Sequence, residues 1–220
     1  MTKVAVVLSG CGVKDGSEIH EAVLSLLYLD QAGVEIVCMA PNIEQARVIN
    51  HLTGSTMNEK RNVLVESARI ARGNIKNIKD VDIRSLDAII FPGGLGAALN
   101  LSTFGVEGKN CSVNHDVETL IKEAYSLKKV LGFICISPAS LASRVLGKNK
   151  VKITIGTDPA TISTVTSMGA IHEISKVDDI VVDLDNKVVS TPAYMLGSSI
   201  KDIATGIEKL VKEVVRLSKI

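Results

Sequence analysis

A cysteine placed where a strand gives way to a helix holds a nucleophile's position. The stretch Val130-Leu131-Gly132-Phe133-Ile134-Cys135-Ile136-Ser137-Pro138-Ala139 has that form. Its apolar run reads as a short strand, and Ser137-Pro138 with the Ala and Leu that follow opens a helix. Such a turn pushes the thiol out of the sheet toward helix N–H groups, whose dipole favours an anion, so the spacing predicts a thiol that ionises more readily than a free one. The same stretch also fits a buried cysteine serving as a small hydrophobe. Two carboxylates, Glu18 and Glu21, lie one turn apart at the start of the first predicted helix and can face the same crevice. A carboxyl group hydrogen-bonded to a thiolate in a partly dry site can take a proton from carbon or move one between oxygens. First-turn charge on a helix is the plainer use of both glutamates.

The elements that must position these groups alternate. Val4 to Leu8 is an almost continuous apolar run, as in a parallel strand covered on both faces. It ends in the turn Ser9-Gly10-Cys11-Gly12. A helix follows with Ser17 as N-cap, its apolar positions Ile19, Ala22, Val23, Leu26 and Leu27 at helical spacing, stopping at Gly33 before a strand from Val34 to Met39. Residues 43–50 and 62–72 read as helices, with a short strand near 75–78. Asp87 to Phe91 reads as a strand closing in Pro92-Gly93-Gly94-Leu95-Gly96. After a polar loop from Gly105 to Asn114 come a helix over 115–127, the strand into Cys135, a helix over 137–146, a strand over 151–155 and a helix over 158–167. Residues 180–190 read as a hairpin around Asp185-Asn186, and the last helix carries Ile200, Ile203, Ile207, Leu210 and Val214 on one stripe. The pattern predicts one α/β domain over residues 1–220, a doubly wound and mostly parallel sheet sandwiched by helices with a local hairpin. In such a sheet the ligand site lies beyond the carboxyl ends of the strands, which brings Ser9 to Asp15, Pro92 to Gly96, Cys135 to Pro138 and Gly156 to Asp158 into one crevice. Gly10, Cys11, Glu18 and Asp158 are thereby pocket candidates, with Cys11 near Cys135 but not bonded to it.

Several function classes are disfavoured. Lys+Arg number 25 against 24 Asp+Glu, so no basic face calls for nucleic acid or an anionic membrane, and aromatics at 3% supply little base stacking. No apolar run approaches the roughly 20 residues of a membrane span. Gly10-x-Gly12 suggests a dinucleotide turn, but the third glycine's place is taken by Asp15, badly suited to pyrophosphate, so no cofactor is expected. Four scattered cysteines and four histidines (His20, His51, His115, His172) show no metal-ligand spacing. His20 is expected to face solvent or a subunit contact, and His115 and His172 to be surface or loop residues. The short apolar N-terminus, unlike a secretory signal, and the unpaired thiols read as cytoplasmic.

Gly132-Phe133-Ile134-Cys135-Ile136-Ser137-Pro138, with Phe91-Pro92-Gly93-Gly94 and Glu21, resembles the DJ-1/PfpI superfamily. Ser9-Gly10-Cys11-Gly12-Val13, Asp15 to Glu21, Asn50-His51-Leu52-Thr53-Gly54, Asp178 to Asp183 and Thr191-Pro192-Ala193-Tyr194-Met195 resemble one branch of it, the ElbB/ES1 family, over nearly the whole chain. The resemblance implies a flavodoxin-like, class I glutamine amidotransferase-like fold. It implies Cys135 as nucleophile, Glu21 as the carboxyl that hydrogen-bonds its sulfur, and the backbone of Gly93, Gly94 and Ile136 for a developing oxyanion. It further implies a homodimer and a cofactor-independent glyoxalase acting on a small aldehyde or dicarbonyl, glyoxal going to glycolate. The alternative for the same thiol is a redox-responsive protein that acts through a partner. Two departures stand out. Ile136 occupies the place of the histidine found in superfamily peptidases, which argues against peptidase activity. Ile155-Gly156-Thr157-Asp158 lacks the downstream histidine of DJ-1-type members, which leaves Glu21 as acid/base with Glu18, Asp158 or His20 as helpers.

Overall fold

The computed structural model describes residues 1–197 and 199–220. Its strands and helices run β1 (Lys3–Val7), α1 (Ile19–Gln31), β2 (Glu35–Ala40), α2 (Val63–Ile70), β3 (Lys76–Asn77), β4 (Ala88–Phe91), α3 (Leu95–Leu99), α4 (Phe104–Glu107), α5 (His115–Ser126), β5 (Val130–Ile134), α6 (Ser143–Leu146), β6 (Lys152–Ile153), α7 (Pro159–Ser167), β7 (Ile171–His172), β8 (Val181–Asp183), β9 (Val188–Thr191) and α8 (Ile200–Leu217). Seven strands form one sheet in the order β3-β2-β1-β4-β5-β9-β8, parallel except for the β8–β9 hairpin. This is the doubly wound, amidotransferase-like α/β fold expected from the alternation of elements.

Alternation along each strand divides the core. Ala5, Val7, Ile89, Phe91, Leu131 and Phe133 face one layer, where α5 brings Val117, Leu120 and Ile121. Phe91 and Phe133, register partners on β4 and β5, stack with centroids 5.0 Å apart. Val4, Val6, Ala88, Ile90 and Val130 face the other layer, made by α1 and α8. There Gly132 lets α8 come close, since a Cβ would sit 3.2 Å from both Leu210 and Val214. Ile203, Ile207, Leu210 and Val214 of α8 are buried as the stripe predicts, whereas Ile200 at its first turn is half exposed.

Four expectations need correction. Residues 43–50 are not helical: Gln45 N donates to Arg61 O, Met57 N to Val48 O and Asn50 N to Ser55 O, so this segment pairs with residues 55–62 like a ragged hairpin. Asn50 closes its turn, its Oδ1 accepting from Leu52 and Thr53 N–H while Gly54 adopts φ 77°. The strand expected over 151–155 shrinks to β6, which pairs with β7 outside the main sheet. Side chains, not a backbone ladder, tie it to the hairpin, with Lys152 N donating to Asp183 Oδ2 and Thr154 N to Ser190 Oγ. His172 is a half-buried strand residue rather than a loop one; its Nε2 accepts from Ile155 N, and burial lowers its pKa. Glu18, not Ser17, caps α1.

Candidate active site

Register sets the site. Val6 pairs with Ile90, Phe91 with Phe133 and Ile134 with Thr191, so β1, β4, β5 and β9 end together and their loops converge. Cys135 follows β5 at φ 63°, a left-handed conformation costly for a residue with a Cβ and held only where the surroundings fix it. They do: Cys135 N donates to Thr191 O at 3.0 Å, and Ile134 N to Ser137 Oγ at 2.8 Å, while the Ser137 hydroxyl reaches the carbonyls of Phe91 and Ile134. Pro138 then starts a wide π turn, Pro138–Ala142, running into α6. The elbow of the sequence reading is present, with Cys135 only 8% exposed.

Glu21, completely buried, meets it from α1. Glu18 orients that first turn by accepting from Glu21 N through Oε2 at 2.8 Å. The Glu21 carboxyl accepts from Gly93 N at 2.9 Å and from Tyr194 N at 3.3 Å, and it hydrogen-bonds the Cys135 thiol. Burial, and next the charge of Glu18, push Glu21 up to about 8, so the carboxyl is protonated at neutral pH. The thiol is not the easily ionised one expected at a helix start. Burial first, then Glu21, push its pKa well up, against the opposing N–H groups of Gly94 and Ile136 that point at the sulfur. Desolvation beside a carboxyl outweighs two amides.

Of the three amides expected to serve an oxyanion, those of Gly94 and Ile136 point at the sulfur, whereas the N–H of Gly93 is taken by Glu21. What Gly93 supplies is room: a Cβ there would lie 2.5 Å from Cys135 Cβ and 2.7 Å from Glu21 Oε2. Gly10 holds the neighbouring loop, donating to Ser67 Oγ at φ 110°. Cys11 is a free thiol; its sulfur lies in the field of Glu66, Arg69, Asp15 and Arg61, and burial raises its pKa. Asp158 is spent as the exposed cap of α7, bonded to Thr161 N and Oγ1. Asp15 explains the broken dinucleotide motif: buried, it accepts from Ile49 N and packs 3.7 Å from His51 Nε2, closing the Gly10–Gly12 turn from below. Tyr194 is the residue sequence reasoning missed. It lies within a quoted motif, but its signal is a backbone N–H, which no side-chain identity reveals. Among the described residues no group of His, Cys, Asp and Glu could hold a metal ion, and no helix is long and apolar enough to cross a membrane.

No protein-family model matches the chain. It is 45% identical to the rat "ES1 protein homolog, mitochondrial" over 98% of this chain and 84% of that one. It is 44% identical to the human "Glutamine amidotransferase-like class 1 domain-containing protein 3, mitochondrial" over 98% and 83%. A solved isoprenoid biosynthesis protein with amidotransferase-like domain from Ehrlichia chaffeensis superposes with a TM-score of 0.92 at 37% identity, covering 99% of both chains. A DJ-1 superfamily protein from Agrobacterium tumefaciens shares the fold at a TM-score of 0.56 and 19% identity, over 95% of this chain and 89% of that one. The mitochondrial names of the relatives overturn the expected cytoplasmic location: free thiols fit any reducing compartment and do not single out the cytoplasm. Identity along almost the entire length makes this chain a member of the ES1/ElbB family, whose amidotransferase-like fold it shares with DJ-1 superfamily proteins.

Proposed function

We propose that this protein is a cofactor-independent glyoxalase that uses Cys135 to convert a small dicarbonyl such as glyoxal to its hydroxy acid, glycolate. The observation that carries the reading is the buried, hydrogen-bonded Cys135–Glu21 pair with its carboxyl protonated at neutral pH. A thiol held up by burial adds to a carbonyl only if its proton has somewhere to go. As the C–S bond forms and the C=O π bond opens, Glu21 gives its proton to the carbonyl oxygen and takes the thiol's, leaving a hemithioacetal and a carboxyl protonated as before. The N–H groups of Gly94 and Ile136 meet the charge developing on that oxygen. Glu21 then gives its proton to the second carbonyl oxygen as it takes the C–H proton, forming an enediol, and next protonates the second carbon as it takes the first hydroxyl's proton, giving a thioester that water splits into glycolate and free thiol. Glyoxal plus water equals glycolate, so no outside oxidant or reductant enters. Oxidation of the thiol as a signal is the less favoured use, because burial keeps it protonated. The decisive assay is glycolate formation from glyoxal: Cys135→Ser is expected to lower the rate by roughly two orders of magnitude or more. No turnover, or equal turnover in both proteins, retires the reading.

A homodimer is part of the same proposal. Ile19, Val23 and Leu27 form one α1 stripe, each more than 40% exposed, on the helix that carries Glu21. A two-fold contact there would place two sites back to back. Val23→Glu is expected to convert a two-chain particle to one chain in analytical ultracentrifugation; an unchanged sedimentation coefficient rejects this face.

A further inference from the structure

On the solvent side of the buried pair lies a polar group of side chains that the mechanism above leaves unused. His20 Nδ1 lies 2.8 Å from the Tyr194 hydroxyl, the rings are tilted with centroids 5.8 Å apart, and His20 Nδ1 is 3.8 Å from Glu18 Oε1. Tyr194 is bound to the reacting pair at its other end, since its N–H donates to Glu21 Oε1. That N–H is aimed by Ala193, which like Cys135 holds a left-handed backbone conformation, at φ 43°. The phenol also lies close enough to Glu18 and Glu21 to feel both carboxylates. Glu21 is sealed and Cys135 nearly so, whereas Tyr194 is half-buried and His20 exposed. A hydroxyl and an imidazole thus stand on the solvent side of a buried thiol-carboxyl pair, fixed to it through one residue's backbone.

We propose that Tyr194, oriented by His20, binds the second oxygen of the substrate while Cys135 adds to the first carbonyl, which makes the site selective for two-carbon and three-carbon α-dicarbonyls over monoaldehydes. This inference rests on Cys135 adding to an aldehyde but not on catalytic turnover. The phenol donates to the distal oxygen, and the imidazole holds it in that orientation. His20 is a positioning residue; Tyr194 touches the substrate.

The test is protection of Cys135 from iodoacetamide, read by intact mass, with glyoxal and acetaldehyde as competing ligands in wild type, Tyr194→Phe and His20→Gln. Loss of one neutral hydrogen bond is about a fivefold effect. Tyr194→Phe is therefore expected to raise the glyoxal concentration for half-protection about fivefold and to leave that for acetaldehyde within twofold. His20→Gln should give a smaller shift of the same selectivity. Equal shifts for both aldehydes, or none for either, overturn the inference, as does wild-type protection by neither. Iodoacetamide rates without ligand control for a merely structural change, because a disturbed pair alters them in the variants and also overturns it. Selective protection without glycolate formation would leave this binding role standing while retiring the glyoxalase.

Discussion

Raising the pH from 5 to 8 is expected to destabilise this protein relative to its Glu21→Gln variant by roughly 3 to 4 kcal/mol, at no more than about 1.4 kcal/mol per unit. Glu21 has a native pKa of about 8 against 4.5 for an ordinary glutamate. Below pH 4.5 both native and unfolded chains hold the proton and nothing is lost. Between 4.5 and 8 the unfolded chain releases it and the native chain keeps it, so stability falls as pH rises. Above 8 the native chain carries the charge in full burial. Glutamine mimics the protonated carboxyl: it accepts from Gly93 or Tyr194 and donates to the sulfur, but it does not titrate. Urea midpoints for both proteins at pH 5, 6.5 and 8 check this. Parallel curves would mean that Glu21 ionises normally and that the proton transfer proposed for it lacks its donor.

Gly94→Ala is expected to cost more than any side-chain truncation in the site, on the order of 4 kcal/mol or more, and to lower soluble expression at growth temperature. Gly94 adopts φ 91°, and a Cβ there would sit 2.3 Å from Glu18 N and 2.4 Å from Gly16 O. Neither atom can retreat. Glu18 N donates to Gly93 O at 3.0 Å, and Gly96 N donates to Gly16 O at 2.9 Å, so the 16–18 and 93–96 backbones are bolted together. Gly93→Ala offers the contrast. Its clash is with the reacting side chains themselves, so it should unseat the Cys135–Glu21 pair. Thermal unfolding of both, beside a surface change such as Gly108→Ala, which meets nothing within 4 Å but sits at φ 54°, separates close packing from backbone strain. A Gly94→Ala protein as stable as the Gly108→Ala control would refute the close-packing argument.

Much of this site is written in local sequence. An apolar run ending in cysteine and then Ser-Pro specifies the elbow because strand, turn and helix signals all lie within ten residues. Glu21 is legible because one helical turn fixes its face. Other features depend on partners far along the chain. Whether Ser17 or Glu18 caps α1 is decided by Ser9, whose N–H claims the Ser17 hydroxyl at 2.8 Å. The helical look of residues 43–50 yields because Gln45, Val48 and Ile49 are buried against the 9–15 loop, with Gln45 Nε2 bonded to Asp15 O. The thiol's ionisation was misjudged because a dipole argument sees the helix and not the dry carboxyl packed beside the sulfur. Tyr194 escaped because its contribution begins with a peptide N–H.

The sheet's two rims carry a consequence of their own. β3 is two residues long, and β8, three residues long, has its Asp183 side chain occupied by the Lys152 N–H. Neither border offers a flat row of free amides and carbonyls, so a foreign strand finds no template on which to lengthen the ladder. Growth into fibrils is blocked at both margins. In the proposed homodimer the contact falls to helices, which would let the glutamate-bearing helix couple assembly to chemistry without risking cross-β stacking.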